Sequence, residues 1–212
     1  LTFAFISTAS AKAFKSQSIG GATGLVVTPT AHTGWEGNNL ALDLGFHSIF
    51  DGDANHVPKA TFLINKKLEL GAAFDMQDPG GNDFLFNAKW QFYSAGVSAL
   101  AIGGNFQLIK IHEDADTENY GQVYLAATYS GNFFNMPAET TLVIGKTFGS
   151  GVENSSIDFS MGFDLDFLPS VFKHYVHWIN DFSNYSYSVN AKGANTGRGI
   201  FNTGLRLALL KD

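Results

Sequence analysis

A bulky apolar residue falls at every second position through long stretches of this chain, and the positions between hold Gly, Ala, Asn and isolated charges. Leu40, Leu42, Leu44 and Phe46 alternate with Ala41, Asp43, Gly45 and His47. Leu68, Leu70, Ala72 and Phe74 alternate with Glu69, Gly71, Ala73 and Asp75, and Ile157, Phe159, Met161, Phe163 and Leu165 with Asp158, Ser160, Gly162 and Asp164. Successive side chains of a strand point to opposite faces, so period two predicts strands with one apolar face and one small or polar face. The segments that carry the beat are 39–50, 57–64, 68–77, 83–93, 97–110, 120–130, 139–148, 156–167, 173–189 and 199–210. That makes ten strands, provided 173–189 is one strand with a bulge near Asp181 to Asn184. Splitting it there and counting Gly24 to Thr28 as a first strand gives twelve as the alternative.

The connections alternate in character. Asn65-Lys66-Lys67, Ser94-Ala95-Gly96 and Leu168 to Val171 are tight, whereas Asp51 to His56, Asp78 to Asn82, His112 to Asn119, Gly149 to Ser155 and Asn190 to Gly197 are longer and more polar. Gly131 to Pro137 belongs to the short set by its place in the order but is too long for it. Short turns at one end and long loops at the other are the pattern of bacterial outer-membrane barrels.

The non-apolar face decides between a water-soluble sheet and a membrane one. A soluble sheet needs Lys, Glu and Thr there; this chain offers Ala41, Gly45, Gly71, Ala73, Ala99, Ala101, Gly103, Gly162, Gly204 and Ala208 with a few charges between. Small residues suit the concave inside of a closed barrel, and large apolar ones the convex outside against hydrocarbon. Closure also lets every backbone N–H and C=O pair between strands. The expected fold is therefore all-β, a closed antiparallel transmembrane β-barrel of about ten strands. Phe50, Phe92, Tyr93, Tyr120, Tyr129, Phe148, Phe167, Trp178, Tyr185, Tyr187 and Phe201 stand near strand ends, where interfacial aromatic girdles form. Lys146 is a misfit, because it shares a face with Leu142, Ile144 and Phe148; close to an interface it can snorkel.

Composition sharpens this picture. Charged residues are 15% of the chain, against roughly 25% in an average soluble domain, yet no run reaches the ~18–20 apolar residues of a spanning helix. If a membrane is crossed, strands cross it. A net charge of −6 without a basic patch argues against nucleic acid as a partner. The absence of cysteine removes disulfides, thiolate catalysis and Cys-based zinc sites. Residues 1–13 read as the back half of a secretory signal peptide, with Ala11-Lys12-Ala13 as a small-x-small cleavage site, or else as a short buried strand. Residues 14–38 form a Gly-rich lead-in and 39–212 the barrel. The location implied is the bacterial outer membrane, with lipid and lipopolysaccharide as surroundings.

Catalytic, metal and cofactor motifs are not assigned. His174 and His177 are three apart, which on a strand points them to opposite faces. Gly145-Lys146-Thr147 resembles the end of a phosphate loop, but Thr140 stands where its first Gly belongs. His112 to Glu118 puts four carboxylates in seven residues, a loop for solvent or for weak divalent-ion binding. His47 and Ser48 are adjacent, so they diverge and make no catalytic pair. What is left is the inner face, with Asp43, His47, Glu69, Asp75, Asn87, Lys89, Gln91, Asn105, Gln107, Asp158, Asp164 and Arg206 as candidate lumen-lining residues. Acids outnumber bases there, so an open lumen would favour cations. In a closed one, Lys89 and Arg206 would pair with the carboxylates.

The stretch Gly24-Leu25-Val26-Val27-Thr28-Pro29-Thr30-Ala31, followed by Trp35-Glu36-Gly37-Asn38-Asn39-Leu40-Ala41-Leu42, resembles a repeat of the YjbH-like outer-membrane barrel proteins, in which G-L-x-x-T-P-T-A precedes a turn and a strand. It covers about twenty residues. The resemblance implies a link to exopolysaccharide production and export. Two functions follow as expectations: a small, weakly cation-favouring channel or passive envelope protein, and a structural or docking component of a polysaccharide-export or surface assembly with an envelope protein as partner. A barrel enzyme acting on lipid or peptide is the weakest alternative, and the chain is not expected to be an enzyme.

Overall fold

The period-two stretches become ten antiparallel strands, each hydrogen-bonded to the next in chain order, so the sheet is a simple meander. A computed structural model describes residues 15–34, 39–51, 53–78, 81–110, 116–149, 157–185 and 199–207. The strands are β1 (Leu40–Asp51), β2 (Asp53–Ile64), β3 (Leu68–Asp78), β4 (Asp83–Ala95), β5 (Ser98–Ile109), β6 (Glu118–Phe133), β7 (Met136–Gly149), β8 (Asp158–Asp166), β9 (Val176–Ser183) and β10 (Ile200–Leu207). One turn of helix, α1 (Pro169–Phe172), joins β8 to β9. The proposed signal segment lies outside the described residues, as do most of the acidic loop at 112–118 and the connection from 186 to 198.

Register puts large apolar side chains opposite one another on the outer face: Leu42 faces Phe62, which faces Leu70 on its other side. Phe86 faces Phe106, and Leu125 faces Ile144. Cross-strand apolar pairs of this kind are the unit that stabilises a sheet. Here they are on the exposed side. Leu42, Leu44, Phe86, Phe106, Leu125 and Ile144 are all exposed, while the intervening Asp43, Glu69, Asp75, Asn87 and Lys89 are buried.

The sheet curls. Val57, Ala73 and Leu85, from β2, β3 and β4, share one apolar cluster with Tyr185, which follows β9, and with partly buried Ile200 of β10. Inside the curve lie residues 15–34, nearly all of them buried. That segment folds back on itself through isolated bridges between Gln17 and Thr23 and between Gly24 and Pro29, so Gly24 to Thr28 adds no strand to the sheet. The count is ten.

Several boundaries differ from the sequence expectation for identifiable reasons. The polar stretch at 51–56 is strand rather than loop, because β1 and β2 stay paired out to Asp51 opposite Asp53. The overlong connection at 131–137 is absorbed in the same way. β6 and β7 pair as far as Phe133 and Met136, leaving a two-residue turn of Phe134 and Asn135, both at positive φ. Positive φ at both central residues matches the twist of the flanking strands. β9 starts at Val176 rather than 173 because α1 and the left-handed Lys173 and His174 use up the preceding residues. Its pairing with β10 runs unbroken through Ser183, and the register shift instead falls in β4, between Gln91 and Tyr93. That shift sends both Phe92 and Tyr93 outward. Two residues assigned to the girdle point inward instead: Tyr120 and Tyr185 are buried. Tyr185 pairs its hydroxyl with that of Ser160 at 2.7 Å, and Tyr120 donates to Glu118.

Candidate functional site

A loop without a regular partner, held in a closely packed interior, must find a mate for each backbone N–H and C=O. Residues 15–34 meet part of that need internally: Ser18 N donates to Ala22 O at 2.8 Å, Ile19 N to Val26 O at 2.8 Å and Thr30 N to Thr23 O at 3.0 Å. Side chains from the wall meet much of the rest.

On the β1–β4 side, Lys59 Nζ donates to the carbonyls of Ser18 at 2.6 Å and Ile19 at 3.0 Å. Thr61 Oγ1 donates to Gly21 O at 2.6 Å and Asn87 Nδ2 to Gly20 O at 2.8 Å. Gln91 Nε2 reaches Ala31 O at 3.0 Å. Gln17 reciprocates from the segment, donating to Thr61 Oγ1 at 2.9 Å and to the Asp43 carbonyl at 3.3 Å. Gly45 leaves the space that the Gln17 side chain occupies, since a Cβ there would collide with its amide.

Glu69 and Lys89 form the centre of this wall. Their charges sit 2.8 Å apart, and the two side chains are 1% and 0% exposed. The Glu69 carboxylate also accepts from Thr23 Oγ1 at 2.5 Å and from Gly34 N at 2.7 Å. Lys89 donates to the carbonyls of His32 at 2.6 Å and Thr23 at 3.1 Å. A buried ion pair is tolerable only when its remaining donors and acceptors are satisfied, and the segment's backbone supplies them.

The opposite wall holds the segment just as firmly. Asp181 of β9 accepts from Val27 N at 2.7 Å and Thr28 N at 2.9 Å, and Asn202 of β10 donates to its second oxygen at 2.8 Å. Thr128 of β6 accepts from Ala31 N at 2.8 Å. Arg206 of β10 donates to Gly24 O at 2.9 Å and to Asp164 at 3.0 Å; Asp164 also holds His177 at 2.7 Å. Lys15 pairs with Glu139 of β7. The segment is thus tied to strands from β1 to β10.

All twelve residues expected on the inner face are buried or half-buried there, but they play different parts. Glu69, Asn87, Lys89, Gln91 and Arg206 bond the segment directly, and Asp43 does so through its carbonyl. Asn105 and Asp158 belong to a second network beyond it, in which Asn105 donates to Gln122 at 2.8 Å and Gln122 donates to Asp158 at 2.7 Å. Asp164 acts through Arg206. His47, Asp75 and Gln107 are buried on the same face. Sequence reasoning missed Lys59, Thr61, Gln122, Thr128, Glu139 and Asp181. Strand parity could have found most of them, since Phe62, Val123 and Phe182 face outward beside them.

Most of these polar side chains address backbone of their own chain. Among the described residues no group of three or more His, Asp or Glu is arranged to hold a metal ion. No protein-family model, no curated protein and no solved structure matches this chain.

Proposed function

We propose that this chain is a membrane-embedded β-barrel of the bacterial outer-membrane kind, sealed by its own residues 15–34, and that it serves as a passive envelope protein in that state. The observation that carries the reading is the inversion of burial: Leu44, Val123 and Ile144 are 54%, 54% and 50% exposed, whereas Glu69, Asp75 and Lys89 are at most 1% exposed. Soluble monomers rarely expose apolar patches beyond about 300–600 Å². An apolar belt spread over ten strands matches hydrocarbon as its solvent.

Pairing of β1 with β10 to close the barrel is part of this proposal. Free strand edges have no partner in hydrocarbon, and the apolar cluster of Val57, Ala73 and Leu85 with Val27 of the segment, against which Ile200 of β10 packs, supports a curl tight enough for that pairing. With Lys89 neutralised by Glu69 and Arg206 by Asp164, the buried Asp43, Asp158 and Asp181 outnumber Lys59. Any passage opened by removing the segment therefore favours cations. In planar bilayers the full chain should give no sustained conductance, and a variant lacking residues 15–34 should give discrete cation-selective steps. A steady open channel from the intact chain would overturn the sealed reading.

A further inference from the structure

Every non-glycine residue with positive φ among the described residues lies at one end of the sheet. Asn65 and Lys66 are in the β2–β3 turn, Phe134 and Asn135 in β6–β7, and Leu168, Lys173 and His174 in β8–β9. Tight hairpins call for positive φ, and Gly or Asn is the residue that adopts it without strain. Phe, Leu and Lys adopt that conformation only with strain. The segment inside the sheet draws on the Lys66 carbonyl, which accepts from Thr33 Oγ1 at 3.0 Å, whereas the apolar side chains of the other turns face away from it. Phe134 is 82% exposed and Val171 of α1 is 64% exposed, with Phe133 and Leu168 exposed beside them.

These side chains form one patch. The Phe133 and Phe134 rings meet edge to face at 4.6 Å, and Leu168 N donates to Met136 Sδ at 3.5 Å, joining the β6–β7 turn to the β8–α1 link. The same rim carries exposed lysines in two of its links, β2–β3 and β8–β9. Lys66, Lys67 and Lys173 are exposed. The described acids of this end, Glu69, Glu139, Asp164 and Asp166, are largely buried and bonded to Lys89, Lys15, Arg206 and His174 respectively. At the other end stand Asp51, Asp53, Asp78, Asp116 and Glu118.

We infer that this short-turn rim is a docking surface for an anionic phospholipid headgroup layer, with Phe133, Phe134, Leu168 and Val171 at the glycerol level and the three lysines on the phosphates. Aromatic side chains prefer that depth, and a lysine beside an anionic leaflet is drawn to its phosphates. The inference rests on the membrane reading above and adds to it which end meets which surface.

The test uses the full chain with Trp35, Trp90 and Trp178 changed to Phe and a single Trp introduced by Phe134→Trp or, on the outer face of β4, Phe86→Trp. Each protein is folded into phosphatidylcholine vesicles containing some phosphatidylglycerol, and energy transfer to dansyl-labelled phosphatidylglycerol is compared with transfer to dansyl-labelled phosphatidylcholine. From position 134 the ratio should be about twofold or more, and it should fall toward one in Lys66→Glu/Lys67→Glu/Lys173→Glu. The same fall is expected when salt is raised on the unreversed protein, a control that needs no refolding of a variant. From position 86 the two lipids should be equivalent. Transfer at 86 with a ratio of one at 134, or a ratio indifferent to salt, overturns the rim inference alone and leaves a protein as the occupant to seek. No transfer from either position overturns the membrane reading itself.

Discussion

Glu69 and Lys89 show what a single buried position does here. Each is an ionic group in a space from which water is excluded, and each is held by the other and by the backbone of residues 23–34. Removing one partner leaves a charge without its mate, which typically costs about 3–5 kcal/mol. Glu69→Ala and Lys89→Ala should each lower unfolding stability by that order in detergent-borne denaturant titrations. The double variant should lose clearly less than the sum, because the two act as one unit. Strict additivity would show that the pair is not coupled. The alternation of Leu68 and Leu70 about Glu69, and of Ala88 and Trp90 about Lys89, was enough to place both residues on the inner face. It gave no sign of what they hold, because the carbonyls of Thr23 and His32 belong to a stretch with no period of its own.

Among the elements, the strands were legible and the lead-in was not. Period two is a property of neighbouring residues, so strand positions and facing could be read locally. Ends were harder. The β6–β7 turn looked too long because Phe134 and Asn135 do not spell a glycine turn, and the β8–β9 link hides a helical turn behind Pro169. Residues 15–34 are held by partners far along the chain: Val27 by Asp181, 154 residues away, and Gly24 by Arg206, 182 residues away. Asp181→Ala withdraws the acceptor from two amides at once, at about 1–3 kcal/mol for a buried orphan. Hydrogen exchange at Val27 and Thr28 should therefore accelerate by roughly 5–150-fold, while the amides of β3 to β6 keep their protection. Equal acceleration across the sheet would mean that segment and strands open as one body.

At the scale of the whole molecule the burial pattern sets the solvent. Leu125, exposed on β6 and opposite Ile144 and Ile102, lies in the middle of the outer face. Leu125→Arg should cost about 2–4 kcal/mol for a barrel folded in vesicles if that face meets hydrocarbon near the midplane. On a water-exposed face the same change stays within about 0.5 kcal/mol. Folding titrations in phospholipid vesicles distinguish the two, and a neutral outcome would remove the membrane proposal together with the rim inference that depends on it.

The sequence by itself determined that the chain is all-β and which side chains share a face, because alternation is written into adjacent residues; between ten strands and twelve it left a choice that the inward fold of Gly24 to Thr28 decided. Only the tertiary structure decided what the polar face is for. Curling the sheet brings β1–β4 and β9–β10 around one short loop, and the bonds that fix the loop run from side chain to backbone across most of the chain's length. Such bonds ask little of the loop's own residue types, so no local pattern announces them.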